Sequence, residues 1–164
     1  MCLPLPSPRT PMRLALLASA ALAATPALLS AQKAPDEKAI LAAVQITFDG
    51  MRTHDTILLK QAILPDASFL TVGKDREGKP RVRRATGQEF IDAVGKGGEP
   101  WNEVIQNPVV HQDGDLGVVW AYYTFKAGDK FSHCGYDLVT VARIEGAWKV
   151  VAIADTQQRE GCKQ

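Results

Sequence analysis

Along this chain, apolar residues recur at helical spacing in the first half and at strand spacing in the second. Ile40, Val44, Phe48 and Met51 follow one another at intervals of four, four and three, which gathers them on one face of an α-helix. Asp36 is placed to cap that helix, and Gly50 marks where it loosens or ends. Asp55 is placed to cap a second, shorter helix carrying Ile57, Leu58, Ala62 and Ile63, with Pro65-Asp66 as its stop. The run Thr86-Gly87-Gln88-Glu89 has the form of a capping box and precedes Phe90, Ile91 and Val94, which predicts a third helix. Between the second and third helices, Ala67 to Val72 and Pro80 to Ala85 read as a hairpin. Its charged loop has Gly73 and Gly78 near its two ends.

From Trp101 onward the period shortens. Asn102 to His111, Leu116 to Lys126, Lys130 to Ile144 and Ala147 to Gln157 are rich in β-branched and aromatic residues. They are separated by Asp113-Gly114-Asp115, Ala127-Gly128-Asp129 and Glu145-Gly146, turns too short for crossovers, so the strands join as antiparallel hairpins. Helices first and a meander second predict an α+β fold, with helices packed on one face of a curved antiparallel sheet.

The N-terminus has a different character. Arg9 and Arg13 precede Leu14 to Leu29, an uncharged apolar stretch, and Ser30-Ala31 then leads into the polar Gln32-Lys33. That order is the n-region, h-region and cleavage site of a secretory signal. The stretch is interrupted by Pro26 and falls short of the roughly 20 residues that a spanning helix needs. Residues 1–31 are therefore read as a signal peptide and 32–164 as one exported domain, periplasmic or extracellular, with no membrane association after cleavage. Met12-Arg13-Leu14 begins a cleaner signal than the proline-rich Met1 to Pro11, which makes Met12 a candidate start and would leave Cys2 unmade.

Export changes the reading of charge and of cysteine. Without Arg9 and Arg13, 17 of the 19 basic residues face 18 acidic ones, and there is no long basic block to attract nucleic acid. Cys134 and Cys162 are then the two remaining thiols. In an oxidising compartment they are expected to be bonded to each other, the alternative being two buried free thiols.

The residues Phe131-Ser132-His133-Cys134-Gly135-Tyr136-Asp137, Gly146-Ala147-Trp148-Lys149-Val150, Asp155-Thr156 and Arg159-Glu160-Gly161-Cys162, in this order of elements, resemble the nuclear transport factor 2-like superfamily. More narrowly, they resemble its exported lumazine-binding-like branch. The resemblance covers Ala34 to Cys162 and implies a cone-shaped fold, a pocket between the concave sheet face and the helices, and in many members a homodimer. The superfamily also holds SnoaL-type cyclases and ketosteroid isomerase. Resemblance to the latter would imply a tyrosine on the first helix, where this chain has Phe48-Asp49. No turnover of steroid-like enones is expected.

A two-residue turn at Glu145-Gly146 would set Ile144 opposite Ala147 and Cys134 opposite Gln157, with Cys162 on a tail able to fold back through Gly161. Alternation along the third strand of the meander puts His133, Asp137, Val139 and Val141 on one face, and Cys134, Tyr136, Leu138 and Thr140 on the other. A histidine and a carboxylate sharing a face are the parts of a general base, or simply a hydrogen-bonded structural pair. Trp120, Tyr122, Tyr123 and Phe125 either line a ligand pocket or fill the core. The candidate ligand-binding residues are therefore Phe48, Asp49, Tyr122, His133 and Asp137, for a small apolar or aromatic ligand. His54, His111 and His133 lie far apart and without metal-ligand spacing, no phosphate-binding glycine loop is present, and no metal or cofactor is expected. Trp101, Trp120 and Trp148 offer aromatic area for a twofold interface through the sheet. Three classes of function follow: an exported small-molecule-binding protein, a SnoaL- or isomerase-like enzyme, and a dimeric interaction module without a working pocket.

Overall fold

The computed structural model describes residues 27–163, with side chains from residue 36 onward. Arg9, Arg13, Met12, Cys2 and the apolar run as far as Pro26 lie outside those residues, and at Ser30-Ala31 only the backbone is described. Helix α1 (Ala27–Thr53) and helix α2 (Thr56–Ala62) come first. Strands β1 (Ile63–Lys74) and β2 (Pro80–Thr86), helix α3 (Gly87–Gly95) and strands β3 (Trp101–Asp113), β4 (Leu116–Ala127), β5 (Lys130–Ile144) and β6 (Ala147–Thr156) follow. The strands form one sheet in the order β2-β1-β6-β5-β4-β3.

The helices form where the pattern predicts, and two of the three predicted caps hold. Ile40, Val44, Phe48 and Met51 are all buried against the sheet and α2. Removing each such side chain from water contributes about 1.5–3 kcal/mol. Asp55 accepts hydrogen bonds from the backbone of Ile57 and Leu58, and Thr86 and Glu89 complete a reciprocal capping box on α3. Gly50 stands where the two helices meet, and a Cβ there would lie 2.6 Å from Leu59 Cδ2.

Three details differ from the sequence reading. Asp36 does not cap α1, which already runs through it. Its carboxylate instead accepts bonds of 3.0 Å from Arg143 Nη2 and Gln112 Nε2. The Arg143 guanidinium also reaches Asp115 and lies 4.6 Å over the Trp148 ring, so one side chain ties α1 to the end of β5. Secondly, α2 ends at Ala62 and Pro65-Asp66 lies inside β1. A proline is tolerated there because the pairing of β1 with β6 is irregular between Ile63 and Ser68. Thirdly, the sheet is not wholly antiparallel, since β1 runs parallel to β6.

The Glu145-Gly146 turn does set Ile144 opposite Ala147, but a bulge in β6 between Val150 and Ala152 adds one residue. Cys134 accordingly faces Gln158, not Gln157. The tail then turns back, and Cys134 and Cys162 are joined by a disulfide with their Cα atoms 5.8 Å apart. Gly135 permits this end of β5 to close, since any side chain there would run into the Thr156 carbonyl oxygen.

Candidate functional site

Register decides which polar side chains meet on the concave face. Thr71 pairs with Asp155, and Asp155 pairs with Asp137, so three neighbouring strands present polar groups side by side. Tyr123 on β4 and Glu103 on β3 stand at alternating positions on the same face. The Tyr123 hydroxyl lies 3.2 Å from Asp155 Oδ2 and 2.9 Å from the Thr156 carbonyl, and Thr71 Oγ1 donates to Asp155 Oδ1 at 2.7 Å.

Three carboxyls in one partly dry place cannot all ionise cheaply. Burial pushes Asp137 up to about 7, and Asp155 adds repulsion, while a hydrogen bond from Glu103 works the other way. Glu103 is raised as well, first by burial and then by the charge of Asp137. Its residue surface is half-buried, but its carboxyl group lies among protein atoms. Asp155 is raised by burial, against which its bonds to Thr71 and Tyr123 act. Asp137 is only 2% exposed, and no fixed donor of the fold reaches its Oδ2. A protonated Glu103 carboxyl is the group able to donate to Asp137, and burial favours keeping a proton on the pair.

Around these carboxyls runs an arc of rings. Phe69 stacks on Phe90 with centroids 4.6 Å apart, Phe90 lies 6.3 Å from Trp101, and Trp101 lies 6.2 Å from Phe125. Phe125 in turn stacks on His133 at 4.7 Å. All five are half-buried, so the arc keeps an edge toward solvent. Burial, with help from Arg83 and Arg159, lowers His133 to about 4 and leaves it neutral at pH 7. Its Nδ1 lies 3.0 Å from Ser132 Oγ.

The candidates from the sequence divide accordingly. His133 and Asp137 share the concave face, but His133 belongs to the ring arc and Asp137 to the carboxyl cluster, with no hydrogen bond between them. Phe48 is buried in the core. Asp49 lies on the outer side of α1, paired with Arg52 at 3.0 Å. Tyr122 is on the convex face, because positions two apart on β4 share a side and Tyr123 takes the concave one. There Tyr122 and Tyr136 meet Lys163, whose ammonium lies 5.0 and 5.4 Å from their ring centres. Trp120, Tyr122, Tyr136, Gln106, Asn107 and Lys163 border a hollow of about 140 Å³ on that convex face.

Glu103 and Asp155 were not among the sequence candidates, and Tyr123 was named only with the aromatic residues of its strand, as pocket lining or core. The uncorrected turn register would have set Ala154 opposite Asp137, and only the β6 bulge brings Asp155 there. Among the described residues no group of three His, Cys, Asp or Glu side chains is arranged to hold a metal ion. Also among them, no helix is long and apolar enough to cross a membrane.

Helices laid on a curved six-stranded sheet in this order define the nuclear transport factor 2-like fold, and solved structures agree. An NTF2-like protein with a cystatin-like fold from Novosphingobium aromaticivorans matches with a TM-score of 0.65 at 14% identity, over 85% of this chain and 94% of its own. A protein of unknown function from Mycobacterium tuberculosis matches with a TM-score of 0.65 at 14% identity, over 85% and 79% of the two chains. An NTF2-like protein from Cytophaga hutchinsonii gives 0.60 at 18% identity, over 74% and 98%. No curated protein matches the sequence. Within the fold class, the chain belongs to the family described as "Putative lumazine-binding", whose model matches residues 35–154.

Proposed function

We infer that this is an exported protein that holds a small aromatic molecule on the concave face, between the ring arc and the carboxyl cluster. The observation that carries this reading is the arc itself: five half-buried rings run in mutual contact to His133, on the face of β5 that also carries Asp137, whose buried Oδ2 no fixed donor satisfies. Aromatic walls with a few convergent polar groups are the usual make-up of a small-molecule site. The family description, which names a small heteroaromatic ligand, points the same way. Export is supported by the signal-like N-terminus and by the Cys134–Cys162 disulfide.

Native mass spectrometry of the mature protein from its own host tests this directly, and a retained small molecule is expected. Losing the contact with one buried ring costs on the order of 1.5–3 kcal/mol, at least tenfold in affinity. His133→Ala should therefore weaken retention by that factor, whereas Tyr122→Ala, on the convex face, should leave it unchanged. Equal retention by the parent and His133→Ala would remove the site from the concave face.

One observation favours an enzymatic second reading. Asp137, held up at about 7, lies in the range where a carboxyl both accepts and returns a proton at neutral pH. Solvent deuterium appearing at a carbon of the retained molecule would identify that activity.

A further inference from the structure

We propose that Glu103 and Asp137, with Asp155 beside them, recognise the positively charged end of an aromatic ligand, an amidinium or a protonated aminoheterocycle. The proposal rests on the reading of the concave face as a ligand site and goes on to name the class of ligand.

Three observations carry it. Asp137 Oδ2 is enclosed in a residue 2% exposed and no fixed donor reaches it, which leaves Glu103, itself a carboxyl, as the one group able to donate to Asp137. The charged groups that act on Glu103 and Asp137 are themselves acidic, and the one cation near the cluster, Arg83, acts on Asp155. Phe125 on β4 and His133 on β5 lie on the sheet face that carries Glu103 and Asp137, and ring faces attract cations.

The surroundings of the pair are accounted for strand by strand. Tyr123 comes from β4, His133 from β5 itself, Asp155 from β6 and the uncharged Thr71 from β1. Arg83 on β2 donates to Gln157 Oε1, and it and Arg159 act on His133, with Arg83 also acting on Asp155. Neither arginine is among the groups acting on Asp137. A neutral ligand with one N–H would satisfy one oxygen but would leave the excess negative charge in place. A cation removes both deficits, and its arrival favours the ionised carboxyls. The proton on Glu103 then leaves to solvent: cationic ligand plus singly protonated pair gives the complex plus one proton.

Isothermal titration calorimetry at pH 7, in buffers of different ionisation enthalpy, separates the outcomes. The probes are benzamidinium and its neutral isostere benzamide. Benzamidinium is expected to bind the oxidised mature protein at least tenfold more tightly than benzamide and to release close to one proton. Asp137→Asn should abolish both the preference and the release, and Glu103→Gln provides a second variant if the first fails to fold. Benzamide binding as tightly as benzamidinium, or benzamidinium binding without proton release, overturns the cationic class while leaving the concave site standing. If neither probe shifts the nuclear magnetic resonance signals of the Trp101 indole and the His133 ring, the underlying site reading falls as well.

Discussion

Asp137 is buried on a strand whose next inward residues are Val139 and Val141, and a carboxyl in that setting is held most comfortably with its proton on. Its value is raised, so folding takes up a proton that the unfolded chain has already released. The stability this brings is full at low pH and is lost as pH rises from the ordinary 3.8 through about 7. Glu103 and Asp155, also raised, act with the same sign. His133 acts oppositely: lowered from 6.5 to about 4, it adds stability as pH rises through that interval. Above pH 6.5 only the carboxyls remain, so the thermal midpoint should fall between pH 6.5 and 8.5. Asp137→Asn should flatten the decline and be the more stable form at pH 8, by on the order of 2 kcal/mol. A parallel decline in both proteins would show that Asp137 is not the titrating group. Alternation along β5 alone was enough to put Asp137 and His133 on one face. It could not show that Tyr122 faces away from them, because that needs the pairing of β4 with β5.

At the scale of elements, caps and turns act locally and are legible, whereas bulges are not. Thr86 and Glu89 satisfy each other's backbone neighbours within four residues of chain, so the start of α3 can be read from those residues alone. The extra residue in β6 between Val150 and Ala152 has no comparable local mark, yet it shifts Asp155 into place beside Asp137 and Gln158 opposite Cys134. The tail beyond β6 is held by the disulfide, by the Lys163 backbone N–H donating to the Tyr122 hydroxyl at 2.7 Å, and by Lys163 Nζ at 3.0 Å from the Tyr136 hydroxyl. Cys134 and Cys162 are 28 residues apart, and closing a loop of that length contributes about 3–4 kcal/mol. Cys162→Ser should lose about that much stability in urea, and reducing the parent should reproduce the loss. A variant as stable as the oxidised parent would show that the tail contacts hold without the bond.

For the molecule as a whole, the convex face poses the open question of cover. Val109, Trp120 and Leu138 stand side by side across β3, β4 and β5 and are 48%, 45% and 37% exposed. The aromatic area on this face is smaller than three tryptophans would give, because Trp101 joins the concave arc and Trp148 is buried beneath Arg143. We propose that a second copy covers the row across a twofold axis. Light scattering at micromolar concentration should then give a dimer mass for the parent and a monomer mass for Leu138→Asp, while a monomeric parent would refute the interface. By itself the sequence determined the helices, the hairpins and the α+β class, because periodicity, caps and glycine turns act over a few residues. It also pointed to the disulfide, because Cys134 and Cys162 are the only two cysteines after residue 31. Tertiary structure decided the parallel pairing of β1 with β6, the bulged register and the meeting of Glu103, Asp137 and Asp155. Each of these depends on contacts between residues distant in the chain, whose alignment one inserted residue is enough to change.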